Sequence, residues 1–235
     1  MNSRVIFYGL VLAAWANLAC AQTTDASAPA PSLYCTAKIP ALCPVADKPG
    51  LPRVLLIGDS ISIGYTLRVR QLLADVANVH RIPRNGGTTE IGLENLEQWL
   101  EGGKWDVIHV NFGIHDARLM PMGIPTTDIN TYSNNIRTIL ERLKATGARV
   151  IWATSTPIPP DVVPPDHRWA DITVYNKVAN QIAQQEGVSI DDLYSVVKPQ
   201  EAELQRPQNV HFNGNGWDVL ARAVANSISH QLHSK

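Results

Sequence analysis

The stretch Val54-Leu55-Leu56-Ile57-Gly58-Asp59-Ser60 decides how the rest of the chain is interpreted. Four consecutive apolar residues run directly into a glycine and two small polar residues. A short apolar run that ends at a turn signal is typical of a buried strand in a parallel sheet. Open α/β sheets build their sites at the carboxyl ends of such strands. We therefore predict that Ser60 lies at a functional edge and acts as a nucleophile.

Strands and helices are predicted to alternate from this stretch to the end of the chain. The predicted strands lie at 53–57, 79–82, 107–112, 149–153 and 188–190, and helical periodicity marks roughly 64–77, 91–100, 129–143, 174–182 and 217–232. Parallel strands need crossover connections, which place helices on both faces of the sheet. The predicted fold class is α/β, a three-layer α/β/α sandwich around a five-stranded parallel sheet with flavodoxin-like strand order.

The composition is that of an ordinary globular protein, with 235 residues of which 17% are charged and 45% hydrophobic. This length fits one sizeable domain, which we place at 51–235. The formal net charge of −1 provides no electrostatic footprint for nucleic acid, so no nucleic-acid partner is predicted. The sequence does not indicate an oligomeric state.

The first 21 residues resemble a secretory signal. Arg4 precedes the apolar run 5–16, and Ala19-Cys20-Ala21 before Gln22 has the small residues of a cleavage site. The run is short for a transmembrane helix, so no stable membrane insertion is expected after cleavage. Cys20 raises the alternative of a lipoprotein, which Asn17 disfavours. A periplasmic or secreted protein is therefore expected.

Residues 22–50 are rich in Ala, Pro, Ser and Thr, a composition typical of a linker or surface arm. Cys35 and Cys43 are the cysteines that remain after the predicted cleavage. Two cysteines that close a short loop in an exported protein indicate a disulfide, and two free thiols are the alternative.

Four loops are predicted to meet at the carboxyl edge of the sheet. A serine needs an adjacent base to take its proton, and His211 is able to supply one from the loop before the last helix. The tetrahedral intermediate of acyl transfer also needs hydrogen-bond donors, for which the N–H groups of Ser60 and Gly87 and the ring of His115 are candidates. The loops are Gly58-Asp59-Ser60, Asn85-Gly86-Gly87-Thr88-Thr89, Gly113-Ile114-His115-Asp116 and Gln208-Asn209-Val210-His211-Phe212.

In this order, the four motifs resemble those of the SGNH, or GDSL-type, hydrolases over most of the chain from Arg53 onward. The resemblance implies Ser60 as the nucleophile and His211 as the base. It also implies that the Gly87 N–H contributes to the oxyanion hole. The third motif carries His115 where the family usually has Asn, which looks like the mark of a Gly-x-His-Asp branch.

A second departure from the family pattern concerns the acid of the catalytic triad. Gln208 stands three residues before His211, where the family usually has Asp. An amide does not stabilise an imidazolium as a carboxylate does, although its oxygen is able to orient the ring. Asn209 is no better in this respect. We therefore favour a Ser–His dyad, or a backbone carbonyl that orients His211, over another carboxylate.

Other interpretations of the same residues are less specific. His109, His115 and Asp116 suggest a metal site only weakly, because no second ligand cluster supports them. Asp59 and Asp116 are expected to be structural hydrogen-bonding groups, and His109 a buried core residue. No metal or cofactor is predicted, since the chain carries no Walker loop, dinucleotide fingerprint or His-Glu-x-x-His motif.

The predicted function is an exported serine esterase that acts on short-chain or acetyl esters, with a carbohydrate O-acetylesterase as the first choice. The substrate is then a small-molecule or glycan ester. The proline-rich segment 156–171 and Arg118 are expected to face its pocket. The alternatives are a lipid or aryl esterase, a thioesterase, or a catalytically weak domain that binds a glycan or another partner.

Overall fold

The computed structural model describes residues 34–101, 103–162 and 168–234, and its centre is the predicted first strand, β1 (Arg53–Ile57). Val54, Leu55, Leu56 and Ile57 are all buried. Alternate residues of the strand pack into two different hydrophobic clusters, since Val54 and Leu56 face one side and Leu55 and Ile57 the other. A continuous apolar run is therefore needed, because both faces of this strand are covered.

The sheet has the predicted topology. Its five strands are all parallel and follow the order β2-β1-β3-β4-β5, as expected for a flavodoxin-like sheet. The other strands are β2 (Asn78–Arg81), β3 (Val107–Val110), β4 (Arg149–Ala153) and β5 (Ser189–Asp191). The prediction of an α/β sandwich with a five-stranded parallel sheet is confirmed.

Helices cover both faces of the sheet and complete the three layers. One cluster packs α2, α3 and α4 against the sheet, and the other packs α1, α5 and α7. The helices are α1 (Ser60–Leu72), α2 (Thr89–Leu100), α3 (Ile129–Ala145), α4 (Ile172–Gln185), α5 (Leu193–Val197), α6 (Glu201–Leu204) and α7 (Gly214–His233).

Several boundaries differ from the prediction, and α1 ends at Leu72 rather than near 77. α1 begins at Ser60 rather than near 64, because the Asp59 carboxylate accepts the Ile61 N–H at 2.8 Å and caps the helix there. β3 ends at Val110, so Asn111 and Phe112 belong to the loop. The short helices α5 and α6 were not predicted, since neither is long enough to show a helical period.

The segment before β1 packs on the domain as far as it is described. Cys35 and Cys43 form the predicted disulfide. Leu42 is 5% exposed, and the Arg70 guanidinium of α1 donates to the Cys43 carbonyl at 3.3 Å. The predicted signal (1–21) and the first part of the predicted linker lie outside the described residues. Within the described part of the chain, every helix is too short or too polar to span a bilayer.

Gly64 allows α1 and α7 to pack closely near the start of both helices. A Cβ atom at Gly64 would overlap the indole of Trp217, whereas a Cβ at Gly214, the first residue of α7, would meet no atom within 4 Å. We expect Gly64→Ala to destabilise the protein by about 1–3 kcal/mol, because overpacking outweighs a gain of about 1 kcal/mol in helix propensity. Thermal unfolding measures this, with Gly214→Ala as the matched control. Equal melting temperatures for the two variants would contradict the packing argument.

Candidate active site

Ser60 and His211 lie together at the carboxyl edge of the sheet. Ser60 is the first residue of α1, directly after β1, and His211 lies in the loop between α6 and α7. The Ser60 hydroxyl donates to His211 Nε2 at 2.9 Å, although the two residues are 151 positions apart. This distance is within the range needed for proton transfer from a nucleophile to its base.

The loop that carries His211 is held on both sides. Gln205 and Phe212 form an antiparallel bridge, and the Arg206 N–H donates to the His211 carbonyl at 2.9 Å. The Gln205 side chain also donates to the Pro157 carbonyl at 2.7 Å. Phe212 is fully buried and its ring contacts Trp217 of α7. The position of His211 is therefore fixed by its neighbours in the chain.

Asn209 orients the His211 ring. Its Oδ1 atom accepts the backbone N–H of His211 at 2.9 Å and lies 2.7 Å from His211 Nδ1. A backbone N–H requires an oxygen as its partner, so the orientation of the Asn209 amide is fixed. The same oxygen then requires a hydrogen on Nδ1, which leaves Nε2 unprotonated in the neutral ring. The Ser60 hydroxyl donates to that nitrogen, as a nucleophile must.

A backbone carbonyl was one of the two favoured expectations for His211, and it is wrong, because the group that faces Nδ1 is a side-chain amide. Gln208, at the usual position of the acid, is exposed and has a positive φ of 56°. The residue that contacts Nδ1 is Asn209, two positions before the histidine. An Asn side chain readily bonds the backbone two residues further on, and this local turn also places its oxygen beside the ring of residue 211.

Several groups around His211 disfavour its charged form. Burial lowers the pKa of His211, and the positive charges of Arg206 and of His115, when protonated, lower it further, while the Asp59 carboxylate opposes them. The ring is therefore neutral at a lower pH than an ordinary histidine. A neutral ring is the form that accepts a proton from serine.

The glycine loop lies against the nucleophile turn. The Gly86 N–H donates to the Gly58 carbonyl at 2.9 Å, and a Cβ at Gly86 would lie 2.9 Å from the same oxygen. Gly87 has a φ of 67°, which favours glycine, and its N–H donates to Asn85 Oδ1 at 3.0 Å. The group predicted for the oxyanion hole is thus engaged with Asn85 in this structure.

His115 lines the same cavity as Ser60 and His211. Its ring forms no hydrogen bond with another described residue, so its N–H is available to a ligand. Asp116, the next residue, anchors the loop that carries His115. It is fully buried, and its Oδ1 accepts the Thr89 N–H at 2.9 Å. Burial raises the pKa of Asp116, and its contacts are those of a structural residue, as expected.

The three residues weighed as metal ligands do not converge. His109 is completely buried within β3, and its Nε2 contacts Asp191 at 3.0 Å. His115 faces the cavity, while Asp116 binds Thr89. No group of three potential metal-ligating side chains is found in 34–101, 103–162 and 168–234.

Arg81 supports the nucleophile turn, and the sequence analysis missed it. The side chain is 8% exposed, and its Nη2 donates to the Gly58 carbonyl at 2.8 Å, the Asp59 carbonyl at 3.0 Å and Ser62 Oγ at 2.8 Å. Burial lowers its pKa to about 10, so it stays charged near neutral pH. The signal that could have revealed it was an arginine at the carboxyl end of a strand, the edge at which the site was expected.

A cavity of about 200 Å³ opens beside the catalytic candidates. Apolar side chains form much of its wall, and Val162 and Trp169 come from the segment predicted to face the pocket. The Trp169 indole is held by a 2.8 Å hydrogen bond to the Ile114 carbonyl. The residues that line the cavity are Ser60, Ile114, His115, Arg118, Val162, Trp169, Asn209, Val210 and His211.

The sequence profile of a family described as the GDSL-like lipase/acylhydrolase family matches residues 56–219 of the chain. This span contains all four loops of the site. None of the curated protein sequences is similar enough to match the chain.

Solved structures share the fold at low sequence identity. A lipase/acylhydrolase from Enterococcus faecalis has a TM-score of 0.67 and 22% identity, over 77% of this chain and 97% of its own. The acetyl xylan esterase AlAXEase has a TM-score of 0.64 and 18% identity, over 75% and 99%. An acetylxylan esterase from Geobacillus stearothermophilus has a TM-score of 0.62 and 21% identity, over 78% and 95%. At these identities the likeness shows a common fold.

Proposed function

Because the chain belongs to the GDSL-like lipase/acylhydrolase family, whose members hydrolyse esters, we propose that it is a serine esterase with Ser60 as nucleophile and His211 as base. One observation carries this proposal, the chain of contacts from Ser60 Oγ through His211 to Asn209 Oδ1, with distances of 2.9 and 2.7 Å. That chain lies in the wall of a cavity, where a substrate is able to reach it.

The first half of the reaction transfers the acyl group to the enzyme. His211 Nε2 takes the Ser60 proton while Oγ attacks the ester carbonyl, which gives a tetrahedral intermediate with a negative oxygen. The imidazolium then gives its proton to the leaving alcohol as the carbon–oxygen bond breaks. In the second half, His211 takes a proton from the water that attacks the acyl-Ser60 ester, and it returns this proton to Ser60 Oγ as the bond to the acyl group breaks and the acid leaves.

The negative oxygen of the intermediate needs donors aimed at it. The Ser60 N–H is at the first position of α1, where no intrahelical partner exists, and the positive end of the helix dipole favours negative charge there. We assign the second donor to the His115 ring. The Gly87 N–H is the third candidate. It now donates to Asn85 Oδ1, so it serves as an oxyanion donor only when it divides this hydrogen bond between both oxygens or breaks it.

We propose short acyl groups, acetyl above all, as the ones transferred. The cavity beside Ser60 measures about 200 Å³, with Trp169 and Val162 in its wall, which is a size that suits a small acyl group. Among proteins of the same fold, two are described as acetyl xylan esterases, which supports a carbohydrate O-acetylesterase. The Cys35–Cys43 disulfide supports an exported protein, because disulfides persist in oxidising compartments.

Ser60→Ala tests the proposed function directly. We expect the variant to lower kcat on 4-nitrophenyl acetate by about four to six powers of ten, because it removes the nucleophile. Ser133→Ala, on α3, is the control and should retain wild-type turnover. Activity on acetyl esters should also exceed that on octanoyl esters. Turnover by wild type no higher than by Ser60→Ala, on short esters and acetylated glycans alike, would favour a binding domain.

Asn209→Asp tests how His211 is oriented. The activity of the wild type depends on neutral His211, so kcat/KM should rise with pH and level off below the usual histidine range, since burial lowers that pKa. A carboxylate at 209 stabilises the imidazolium, so the rise should move to higher pH by about one unit or more. Asn209→Ala should lower kcat without this displacement. A pH profile identical in wild type and Asn209→Asp would refute the assignment.

His115→Ala tests the oxyanion role. We expect kcat to fall by about one to three powers of ten with little change in KM, which is the scale of losing one donor. His115→Asn, whose amide also donates, should recover much of the loss. A near-wild-type kcat for His115→Ala would remove this residue from the oxyanion hole.

A further inference from the structure

The small cavity beside Ser60 continues into a larger one of about 620 Å³. His115 and Arg118 line both, so the two cavities form one cleft. The larger cavity is of the size that holds a drug-sized or sugar-sized group. The short acyl group fits beside Ser60, which leaves this outer space for the alcohol part of an ester. It is lined by Thr88, His115, Arg118, Leu119, Met120, Pro121, Thr126 and Arg168.

The charge of this cleft is positive. Arg118 and Arg168 line it, and none of the described residues that line the two cavities is Asp or Glu. Both arginines are exposed, and neither guanidinium forms a hydrogen bond or ion pair with another described residue. Elsewhere in the fold arginines do find acidic partners, as Arg68 does with Asp218 and Arg137 with Glu186.

Backbone hydrogen bonds fix the two segments that carry the arginines relative to each other. Arg118 forms an antiparallel bridge with Trp169, and the Leu119 N–H donates to the Arg168 carbonyl at 2.7 Å. The Thr126 N–H donates to the Arg118 carbonyl at 2.8 Å on the other side. The two cations therefore come from paired backbone segments whose spacing is set before a ligand binds.

Two acidic residues of the described chain share a different cavity with Arg168. Asp161 and Asp171 line it together with Arg168 and Lys198. The Asp171 carboxylate already accepts the Thr173 N–H at 2.9 Å, which caps α4. Neither residue lines the cleft that leads to Ser60, where Arg118 and Arg168 have no acidic neighbour among the described lining residues.

We propose that the preferred ester carries a carboxylate on its alcohol part, as an acylated acidic sugar does, and that Arg118 and Arg168 bind this carboxylate. A planar guanidinium matches a carboxylate with two parallel hydrogen bonds, and such charge-assisted bonds are the stronger ones. A positive cleft also attracts anionic substrates before contact. This inference rests on the proposed esterase function and adds the class of substrate to it.

A matched pair of substrates tests the inference. 4-Acetoxybenzoate carries the carboxylate, and 4-acetoxybenzamide is its neutral counterpart with the same ester. The measured quantity is the ratio of kcat/KM for the anionic to the neutral substrate, in wild type, Arg118→Gln, Arg168→Gln and the double variant. Arg222→Gln, an exposed position on α7 away from the cleft, is the control.

We expect the wild type to prefer the anionic substrate. Each single variant should lower the ratio by about threefold to fivefold, which is the scale of one exposed charge pair. The double variant should lower it further, and the control should leave it unchanged. The preference should also weaken as sodium chloride is added, because salt screens exposed charges.

Two failures are distinguishable. If the wild type hydrolyses both substrates faster than Ser60→Ala, but its ratio is unchanged in the arginine variants, the carboxylate inference is wrong and the esterase function stands. If the wild type hydrolyses neither substrate nor 4-nitrophenyl acetate faster than Ser60→Ala, the proposed function is wrong and the inference falls with it.

Discussion

The site depends on one oxygen atom, Oδ1 of Asn209, which accepts from the backbone N–H and faces Nδ1 of His211. Without it, nothing on the described chain determines which ring nitrogen faces Ser60 as an acceptor. The contact is local, spanning two residues, but its effect reaches a nucleophile 151 positions away. An amide suffices for this because orientation needs only a lone pair, whereas stabilisation of the imidazolium needs charge.

Other hydrogen bonds fix the turn that carries Ser60, the proposed nucleophile. Asp59 caps α1, and the buried Arg81 guanidinium binds the carbonyls of Gly58 and Asp59. These carbonyls lie in the sharp turn between β1 and α1, where they also accept the Gly86 N–H at 2.9 Å and the Ile63 N–H at 3.1 Å. A buried charge is tolerated here because both terminal nitrogens of the guanidinium, Nη1 and Nη2, donate to oxygens. The backbone at Ser60 is thus held by the Asp59 cap of α1 and by the guanidinium of Arg81.

The fold and the meeting of Ser60 with His211 could be predicted from the sequence, but the supporting groups could not. Local sequence patterns are enough to recognise the run 54–57 and the motifs at Ser60 and His211. The parallel topology of the sheet then brings the loops that carry these motifs together. The roles of Arg81 and Asn209 depend on the hydrogen bonds of their side chains, which the periodicity of apolar residues does not predict. The start of α1 was misplaced because the cap at Asp59 was not weighed, and α5 and α6 are too short to show a period.

Asn209 carries no charge, so any negative charge that stabilises a protonated His211 must come from another residue. Arg206 disfavours the imidazolium that forms during the reaction, and a protonated His115 would do the same, while the opposing negative charge comes from Asp59, next to the nucleophile. Asp59 lies buried, with its carboxylate on the Ile61 N–H, so its charge is fixed in place. In a site of low dielectric, such a charge acts over a longer distance than in water. Asp59 therefore favours the charged form of His211, as a triad carboxylate does elsewhere, and the helix cap is also an electrostatic element of the site.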